Sequence, residues 1–323
     1  MSNTKKALII GVAGQDGTYM ADLLLKKGYR VSGTSRNADA AHMKNLNSLG
    51  IEKEVELISM ALSDFRSVLQ VIDKIKPDEI YNLAGQTSVG LSFEQPVETF
   101  NSITVGTLNL LEVLRFLDLP IKLYNACSSE CFGNTNGNAA SEETPFHPLS
   151  PYAVAKAAAY WAVVNYRNAY GIYANSGILF NHESPLRNKK FVTKKIISTA
   201  CRIAGGSKEK LTLGNIEVQR DWGWAPEYIE AMWQILQEPE ARDYVIATGK
   251  TYSLKEFVAL AFSNLGLDWQ EHVEINRELF RPSEIMISKA DPSQIRAKLG
   301  WVPRYTMPQV VEMLLEAEQG QQD

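Results

Sequence analysis

A chain of 323 residues, 45% hydrophobic and 22% charged, has the composition of an ordinary globular protein with room for one large α/β domain or two joined ones. Its formal net charge of −4 gives no basic field for nucleic acid, and no apolar run reaches the ~18 residues that a membrane span needs. Cys127, Cys131 and Cys201 are too few for a disulfide framework and lack metal-ligand spacing, and the first residues lack the apolar core of a signal peptide, so a cytoplasmic protein without a metal is expected.

Residues 7–10 read as a buried strand that runs straight into Gly11-Val12-Ala13-Gly14-Gln15-Asp16-Gly17, followed by a helix over 18–27 that stops at Gly28. Strand, glycine turn and helix in that order form the context of a dinucleotide-binding loop. Gly11 permits the tight turn, Gly14 lets the backbone approach a pyrophosphate, and Gly17 permits close packing of helix on strand. The helix N-terminus then faces the phosphates. A second strand over 29–34 ends in Ser35-Arg36, with no acidic residue to accept from the ribose hydroxyls. The Arg36 guanidinium suits a 2′-phosphate, which favours NADP over NAD.

A third strand is expected over 55–58, a helix from 63 or 64 to 75, and a fourth strand over 79–83. That strand opens into Ala84-Gly85-Gln86-Thr87, small residues at a strand's C-terminal end, where cofactors lie in open parallel sheets. A helix over about 96–117 and a fifth strand over 121–126 follow. The alternation argues for a Rossmann-type doubly wound parallel sheet.

The fifth strand delivers Cys127-Ser128-Ser129-Glu130 to the edge that carries the glycine loop. After a polar loop comes Leu149-Ser150-Pro151-Tyr152-Ala153-Val154-Ala155-Lys156, in which Ser150 suits a helix N-cap and Pro151 the first helical position. Tyr152 and Lys156 then share one helical face. An ammonium beside a phenol favours the phenolate, which makes a proton acceptor suited to drawing a hydride off a carbinol carbon. Tyr-x-x-x-Lys alone arises often by chance as a surface pair; convergence with Ser128 and the glycine loop favours the catalytic reading. Glu130 is the unusual member. Either it is a solvated loop carboxylate, or it is a second proton-transfer group, for which a dehydratase has a use and a simple dehydrogenase has none.

Beyond a sixth strand over 175–180 the alternation loosens. A polar loop, Asn181-His182-Glu183-Ser184-Pro185-Leu186-Arg187, precedes a helix over 192–204, Arg220-Asp221-Trp222-Gly223, a helix over 227–237, a strand over 244–247, and Phe280-Arg281-Pro282-Ser283-Glu284. Lys195, Arg220 and Arg281 could each be an ordinary surface charge, but together they suit a diphosphate. The expected division is a nucleotide-binding domain over 1–178, with a segment near 215–240 returning to it, and a smaller C-terminal α/β substrate domain over 179–323. The Gln-rich tail after Glu318 is expected to fray. The helix after Tyr152, with Ala157-Ala158-Ala159-Tyr160-Trp161-Ala162-Val163-Val164, is apolar over more of its circumference than one core-facing stripe needs. It is either buried within one subunit or paired with the 96–117 helix of a second copy in a four-helix dimer seam.

Taken together, these pieces resemble the extended short-chain dehydrogenases/reductases, and within them the GDP-mannose 4,6-dehydratase family. The resemblance is carried by the G-x-x-G-x-x-G spacing of 11–17, by Tyr81-Asn82-Leu83-Ala84, by Ser128-Ser129-Glu130, and by the run from Thr144-Pro145-Phe146 to Lys156. It continues through 177–187, Phe191-Val192-Thr193, Arg220-Asp221-Trp222-Gly223 and Phe280-Arg281-Pro282-Ser283-Glu284, and covers nearly the whole chain. It implies a hydro-lyase that converts GDP-mannose to GDP-4-keto-6-deoxymannose and water, with a tightly bound NADP recycled by hydride transfer from C4 to C6.

The resemblance also implies roles. Tyr152, aided by Ser128 and Lys156, would take the O4 proton, and Glu130 would take the C5 proton and assist loss of the C6 hydroxyl. The cofactor would be held by Gly11, Gly14, Gln15, Asp16, Gly17, Arg36, Leu62, Leu83, Ala84, Gln86, Thr87, Lys156, His182 and Arg187. The GDP-sugar would face Asn181, Lys195, Arg220, Arg281 and Glu284. The chain departs from the family pattern at several places. Ser128 stands for the usual threonine, Asn37-Ala38-Asp39-Ala40 for a second arginine and a serine pair that help to bind NADP across a subunit interface, Ala61-Leu62 for an acidic residue near the adenine, and Trp224 for a smaller or different residue. The expected assembly is a homodimer or a homotetramer. The same dehydration on another GDP-sugar such as GDP-manno-heptose, a GDP-4-keto-sugar reductase or epimerase, and a catalytically silent NADP-binding protein are the alternatives; Glu130 argues against the reductase.

Overall fold

A near-continuous apolar run, the pattern of a strand buried on both faces, forms the first strand of the central sheet, and strands of more mixed composition flank it. Its strands are β1 (Lys6–Ile10), β2 (Arg30–Ser35), β3 (Glu56–Ser59), β4 (Glu79–Asn82), β5 (Lys122–Ser128), β6 (Ala174–Leu179) and β7 (Tyr244–Ile246). They lie in the order β7-β6-β5-β4-β1-β2-β3. The pairings from β3 across to β6 are parallel. The chain leaves β1 outward through β2 and β3 and returns to β4 on the other side of β1, so the strand order reverses beside the glycine loop, the usual place for a ligand in an open α/β sheet. The computed structural model describes residues 4–38 and 43–320; Asp39 and Ala40 of the divergent loop and the tail from 321 on lie outside them.

The helices used below are α1 (Gln15–Lys26), α2 (Phe65–Ile75), α3 (Gly106–Leu117), α4 (Pro151–Tyr170), α5 (Val192–Ala204), α6 (Ala225–Gln237), α7 (Leu254–Ser263) and α8 (Met307–Gln319). Local chemistry explains their ends. The Asp64 carboxylate accepts from Arg66 N at the start of α2, and Ser150 Oγ accepts from Ala153 N at 3.1 Å at the start of α4, with Pro151 in its first turn.

Most element ends lie within three residues of the sequence reading, and three differences have a physical cause. β5 runs past 126 because Cys127 and Ser128 continue to pair with Ile178 and Leu179 of β6, so Ser128 stands on a strand. The helix over 96–117 is not uniform: a π-helical turn, Asn101–Val105, separates Pro96–Phe100 from α3. There the hydroxyls of Thr99, Ser102 and Thr107 bond back to the carbonyls of Gln95, Thr99 and Ile103 and compete with the helical ladder. Gln319 remains helical at the end of α8, so ordered structure reaches past Glu318.

Two compact units divide the chain. The first takes Met1–Cys131, Ser150–Leu179 and Ile229–Tyr244; the second takes Phe132–Leu149, Phe180–Tyr228 and Val245–Asp323. The first has a core of Leu8, Ile72, Ile80, Leu110, Leu123 and Val163, and the second one of Ile196, Ile197, Trp222, Phe257, Phe262 and Leu314. In the second unit a buried ion pair, Lys194 Nζ to Glu318 Oε2 at 2.6 Å, joins α5 to α8. In the first, apolar side chains remain on the surface of two neighbouring helical segments: Val97, Leu108 and Phe116 on 96–117, and Val154 and Trp161 on α4. No helix among the described residues is long and apolar enough to cross a membrane.

Asp243 closes the first unit's sheet edge. Its carboxylate takes two hydrogen bonds from Arg167, at 3.0 and 2.7 Å, and one from Ser176 N at 2.7 Å. Removing it strands a largely buried guanidinium. Asp243→Ala is expected to cost about 3–5 kcal/mol in urea denaturation, with Asp243→Asn costing less; a loss below about 1 kcal/mol for the alanine variant contradicts this account.

Candidate active site

Backbone approach shapes the glycine loop. Gly11 has φ +87, and a Cβ there would lie 3.0 Å from Ala84 Cα, at the end of β4. A Cβ on Gly17 would lie 2.3 Å from the Gly11 carbonyl oxygen, which no side chain tolerates. Gly14 is the N-cap of α1, extended and with no side-chain cap, and its N–H donates to Gly11 O at 3.1 Å. The amides of the first turn of α1 thus have no capping side chain in front of them, the arrangement that receives an anion. This cradle fits a dinucleotide pyrophosphate.

The other residues expected at the cofactor are distributed unevenly. Gln15 is buried and donates to the Asp16 carboxylate at 3.0 Å. Leu83 N donates to Ile10 O at 3.0 Å, which carries β4 up to Ala84 and the glycine loop. The Gln86 amide is bonded within its own region, to Ser88 O at 2.8 Å and Thr99 Oγ1 at 3.2 Å, while Thr87 is exposed. Arg36 is exposed at the end of β2, 3.6 Å from Glu98. The Leu62 side chain would lie 2.7 Å from a Cβ on Gly106, and its carbonyl accepts from Asn109 Nδ2 at 3.0 Å, so Leu62 seats α3.

Ser128, Glu130, Tyr152 and Lys156 all belong to the first unit. Ser128 ends β5 and Glu130 lies in the single 3₁₀ turn after it, with Glu130 N donating to Ser128 Oγ at 3.3 Å. Tyr152 and Lys156 are buried on the inner face of α4. Lys156 Nζ donates to the Ala126 carbonyl of β5 at 2.6 Å and lies 6.0 Å from the centre of the Tyr152 ring. Burial pushes the Tyr152 phenol well above its ordinary pKa; a hydrogen bond with Ser128 pulls it down, and the charge of nearby Glu130 adds to the rise. Burial lowers the Lys156 pKa, opposed by Cys127, Cys131 and Asp16. The π-helical turn braces this site: Ile103 packs with Tyr152, and Thr104 Oγ1 donates to Ala155 O at 2.9 Å.

Two features escaped the sequence reading. The Ala126 carbonyl that anchors Lys156 has no side-chain signature. A buried polar ladder, in which Asn82 Nδ2 donates to Asn125 Oδ1 at 2.8 Å and to Thr107 Oγ1 at 3.3 Å, links β4, β5 and α3 below the site. Asparagines inside apolar strand runs were its available signal. Cys127 and Cys131 are buried free thiols with sulfurs 3.8 Å apart, and burial raises the pKa of Cys131.

In the second unit, residues 181–183 are a strand rather than a loop. Asn181–Glu183 pairs in parallel with Trp222–Trp224, placing Asn181 beside Trp222 and His182 beside Gly223. His182 Nδ1 is 2.7 Å from the Phe180 carbonyl, which can only accept, so Nδ1 carries the proton. Arg187 is held by Glu183 at 3.1 Å and by the face of Phe191 at 3.8 Å. Buried Arg220 donates to Ile285 O at 2.7 Å and lies 3.4 Å from Glu284 Oε1, with Arg281 3.6 Å from the same oxygen. Three of the residues expected at the substrate thus converge, and two arginines on one carboxylate leave a positive site suited to an anion. Lys195 is exposed and donates to Thr212 O at 2.6 Å. Asp221, next to Arg220, accepts from Thr248 N, Thr248 Oγ1 and Gly249 N; burial pushes its carboxyl up to about 6 against the pull of those bonds.

The family model described as GDP-mannose 4,6 dehydratase matches residues 8–314. GDP-mannose 4,6 dehydratase 1 of Arabidopsis thaliana is 45% identical over 324 residues, covering 97% of this chain and 90% of that protein. GDP-mannose 4,6-dehydratase of Vibrio cholerae is 41% identical over 347 residues, covering 97% and 93%. Among solved structures, the UDP-glucose 4-epimerase of Thermus thermophilus in complex with NAD superposes with a TM-score of 0.85 at 25% identity, covering 98% of this chain and 99% of that one. With the glycine cradle, the strand order and the Ser128/Tyr152/Lys156 group in place, the chain belongs to the GDP-mannose 4,6-dehydratase family of extended short-chain dehydrogenases/reductases.

Proposed function

We propose that this protein converts GDP-mannose to GDP-4-keto-6-deoxymannose and water, using a tightly held NADP that each turnover regenerates. The observation that carries the reading is Glu130, two residues beyond Ser128 in the 3₁₀ turn that follows β5 and near enough to Tyr152 for its charge to act on the phenol. An oxidoreductase that only moves a hydride needs one proton acceptor; a second, separate one suits elimination. Cofactor binding is assigned to the chain up to about residue 178, with a later segment returning to it, and the GDP-sugar to the remainder. The assigned location is the cytoplasm.

The cradle formed by Gly11, Gly14 and Gly17, in which backbone lies where side chains would be, supports direct contact between backbone and phosphate. NADP rather than NAD is supported by Arg36 at the end of β2: its exposed pairing with Glu98 at 3.6 Å is weak and readily exchanged for a phosphate. Gln15, Asp16, Leu83, Ala84, Gln86, Thr87, His182 and Arg187 complete the assigned cofactor contacts, with Leu62 near the adenine. When bound, the nicotinamide accepts the hydride from C4 and returns it at C6.

The chain's own residues manage the protons. Tyr152 takes the O4 proton, sharing that oxygen with the Ser128 hydroxyl. A phenol whose pKa burial raises is a poor base alone; Ser128's hydrogen bond offsets part of that rise, and Lys156 Nζ lies 6.0 Å from the ring centre, on the side where an ammonium would favour the phenolate. Once C4 is a ketone, the C5 proton is acidic. Glu130 removes it and protonates the departing C6 hydroxyl, which leaves as water; the proton that C5 then regains balances the one Tyr152 took from O4, which returns Tyr152 to its starting state directly or through solvent. Arg220, Arg281 and Lys195 serve the diphosphate, with Glu284 and Asn181 ordering the site.

A homodimer is supported by the exposed apolar residues of 96–117 and α4, of which Val97, Phe116 and Trp161 are 72%, 70% and 59% exposed. Matching faces from a second copy would form a four-helix seam. A tetramer finds less support, since Asn37 and Ala38 stand where the family pattern has arginine and serine.

Two measurements test this reading. Incubation with GDP-mannose and no added reductant is expected to give a product lighter by one water, and Glu130→Gln to oxidise C4 and stop there with reduced nicotinamide bound. Turnover of GDP-manno-heptose but not GDP-mannose would move the substrate assignment, and full turnover by Glu130→Gln would remove Glu130 from the mechanism. Light scattering is expected to report a dimer for the wild type and a monomer for Phe116→Glu/Trp161→Glu; a monomeric wild type rejects the seam.

A further inference from the structure

The run Arg220-Asp221-Trp222-Gly223 enters the reading above only through its arginine. The other three residues point into the second unit. Trp222 is buried with its ring 5.5 Å from that of Phe257, and Asp221 ties down the backbone at 248–249. Gly223 has a different reason to be there. A Cβ at this position would lie 2.3 Å from Tyr228 Cε2 and 2.7 Å from its hydroxyl oxygen. The space that a side chain would take is already filled by the tyrosine ring.

That ring is wholly buried and stacks on the His182 imidazole, with centroids 4.7 Å apart and planes 23° from parallel. Trp301 meets Tyr228 edge-on at 5.9 Å, and Trp301 Nε1 donates to Glu227 O at 3.1 Å, so the tyrosine has a fixed neighbour of its own. Burial and the neighbouring carboxylates of Asp221, Glu227 and Glu183 hold its phenol far above the ordinary value, so it remains a neutral ring. The imidazole therefore meets two independent constraints. The hydrogen bond from Nδ1 to Phe180 O at 2.7 Å is one restraint on a ring with two torsions, and it leaves a coupled rotation about χ1 and χ2 open. A flat aromatic face against the ring closes the remaining rotation, which an aliphatic side chain of similar size would not do.

We propose that Tyr228, admitted by Gly223, is the positioning residue for His182 and sets the plane in which the imidazole meets the nicotinamide cofactor. This rests on the assignment of His182 as a cofactor contact. It gives the glycine of Arg220-Asp221-Trp222-Gly223 a task connected to binding: on the Trp222–Trp224 strand that pairs with Asn181–Glu183, Gly223 leaves the gap through which Tyr228 reaches His182.

The test is a double-mutant cycle read by fluorescence titration of NADPH into the full-length protein. Tyr228→Phe keeps the stack and is expected to bind as the wild type does. Tyr228→Leu is expected to weaken NADPH by about three- to tenfold, the scale of one aromatic pair. In a His182→Ala background, adding Tyr228→Leu is expected to cost no further affinity, because the ring has nothing left to orient. An equal loss in both backgrounds would make Tyr228 a packing residue only and overturn the proposal, as would wild-type affinity in the leucine variant. If Tyr228→Leu does not fold, Tyr228→Met, longer and able to adapt to the cavity, carries the same cycle. A His182→Ala protein that binds NADPH as the wild type does would overturn the cofactor assignment itself, a result separate from any outcome at Tyr228.

Discussion

The site-bearing edge of the first unit depends on one steric constraint: the Gly11 carbonyl occupies the place of a Cβ on Gly17, while Gly11 itself lies against the backbone of Ala84. Only glycines allow α1, β1 and the end of β4 to come this close. The approach leaves the uncapped N-terminus of α1 facing outward, and it lies at the point where the strand order reverses on either side of β1. β5, one strand further out, then ends at the same edge with Ser128 and Glu130. A single close contact between backbones thus settles where a phosphate can sit and which strand ends surround it.

Around that edge the polar groups are placed by burial. Lys156 has lost most of its water and is anchored by a strand carbonyl, and Tyr152 is held against its natural ionisation by the same dry surroundings. A phenol in such dry surroundings is a weak base on its own, and positive charge brought close to it, as by an oxidised nicotinamide, would favour proton removal. The buried Asn82–Asn125–Thr107 ladder and the π-helical turn beside Tyr152 keep this arrangement rigid from below and from the side.

Much of this was legible in the residues themselves. Runs such as Ala7-Leu8-Ile9-Ile10 and the glycines after them mark strand, turn and helix through period and backbone freedom, which are local properties. Ser150 and Pro151 announce α4 for the same reason. What was not legible depends on distant partners. β5 extends to Ser128 only because β6 pairs with it, and 181–183 becomes a strand only because 222–224 lies alongside. The π-helical turn arises from hydroxyls that compete with their own helix, which no hydrophobic period reveals. Leu62 stood out as a departure near the adenine, yet its side chain fills the gap over Gly106. Tyr228 gave no signal at all, since an apolar-faced helix accounts for a buried tyrosine before any stacking partner is known.

The central claim is that one hydride leaves C4 and comes back to C6 of the same sugar. It is tested most directly with GDP-mannose deuterated at C4, turned over in ordinary water without external reductant and analysed by NMR. The account predicts a product with deuterium on the C6 methyl carbon and none lost to solvent or to added NADP. Deuterium appearing in free reduced cofactor, or a product with an unlabelled methyl group, would contradict it.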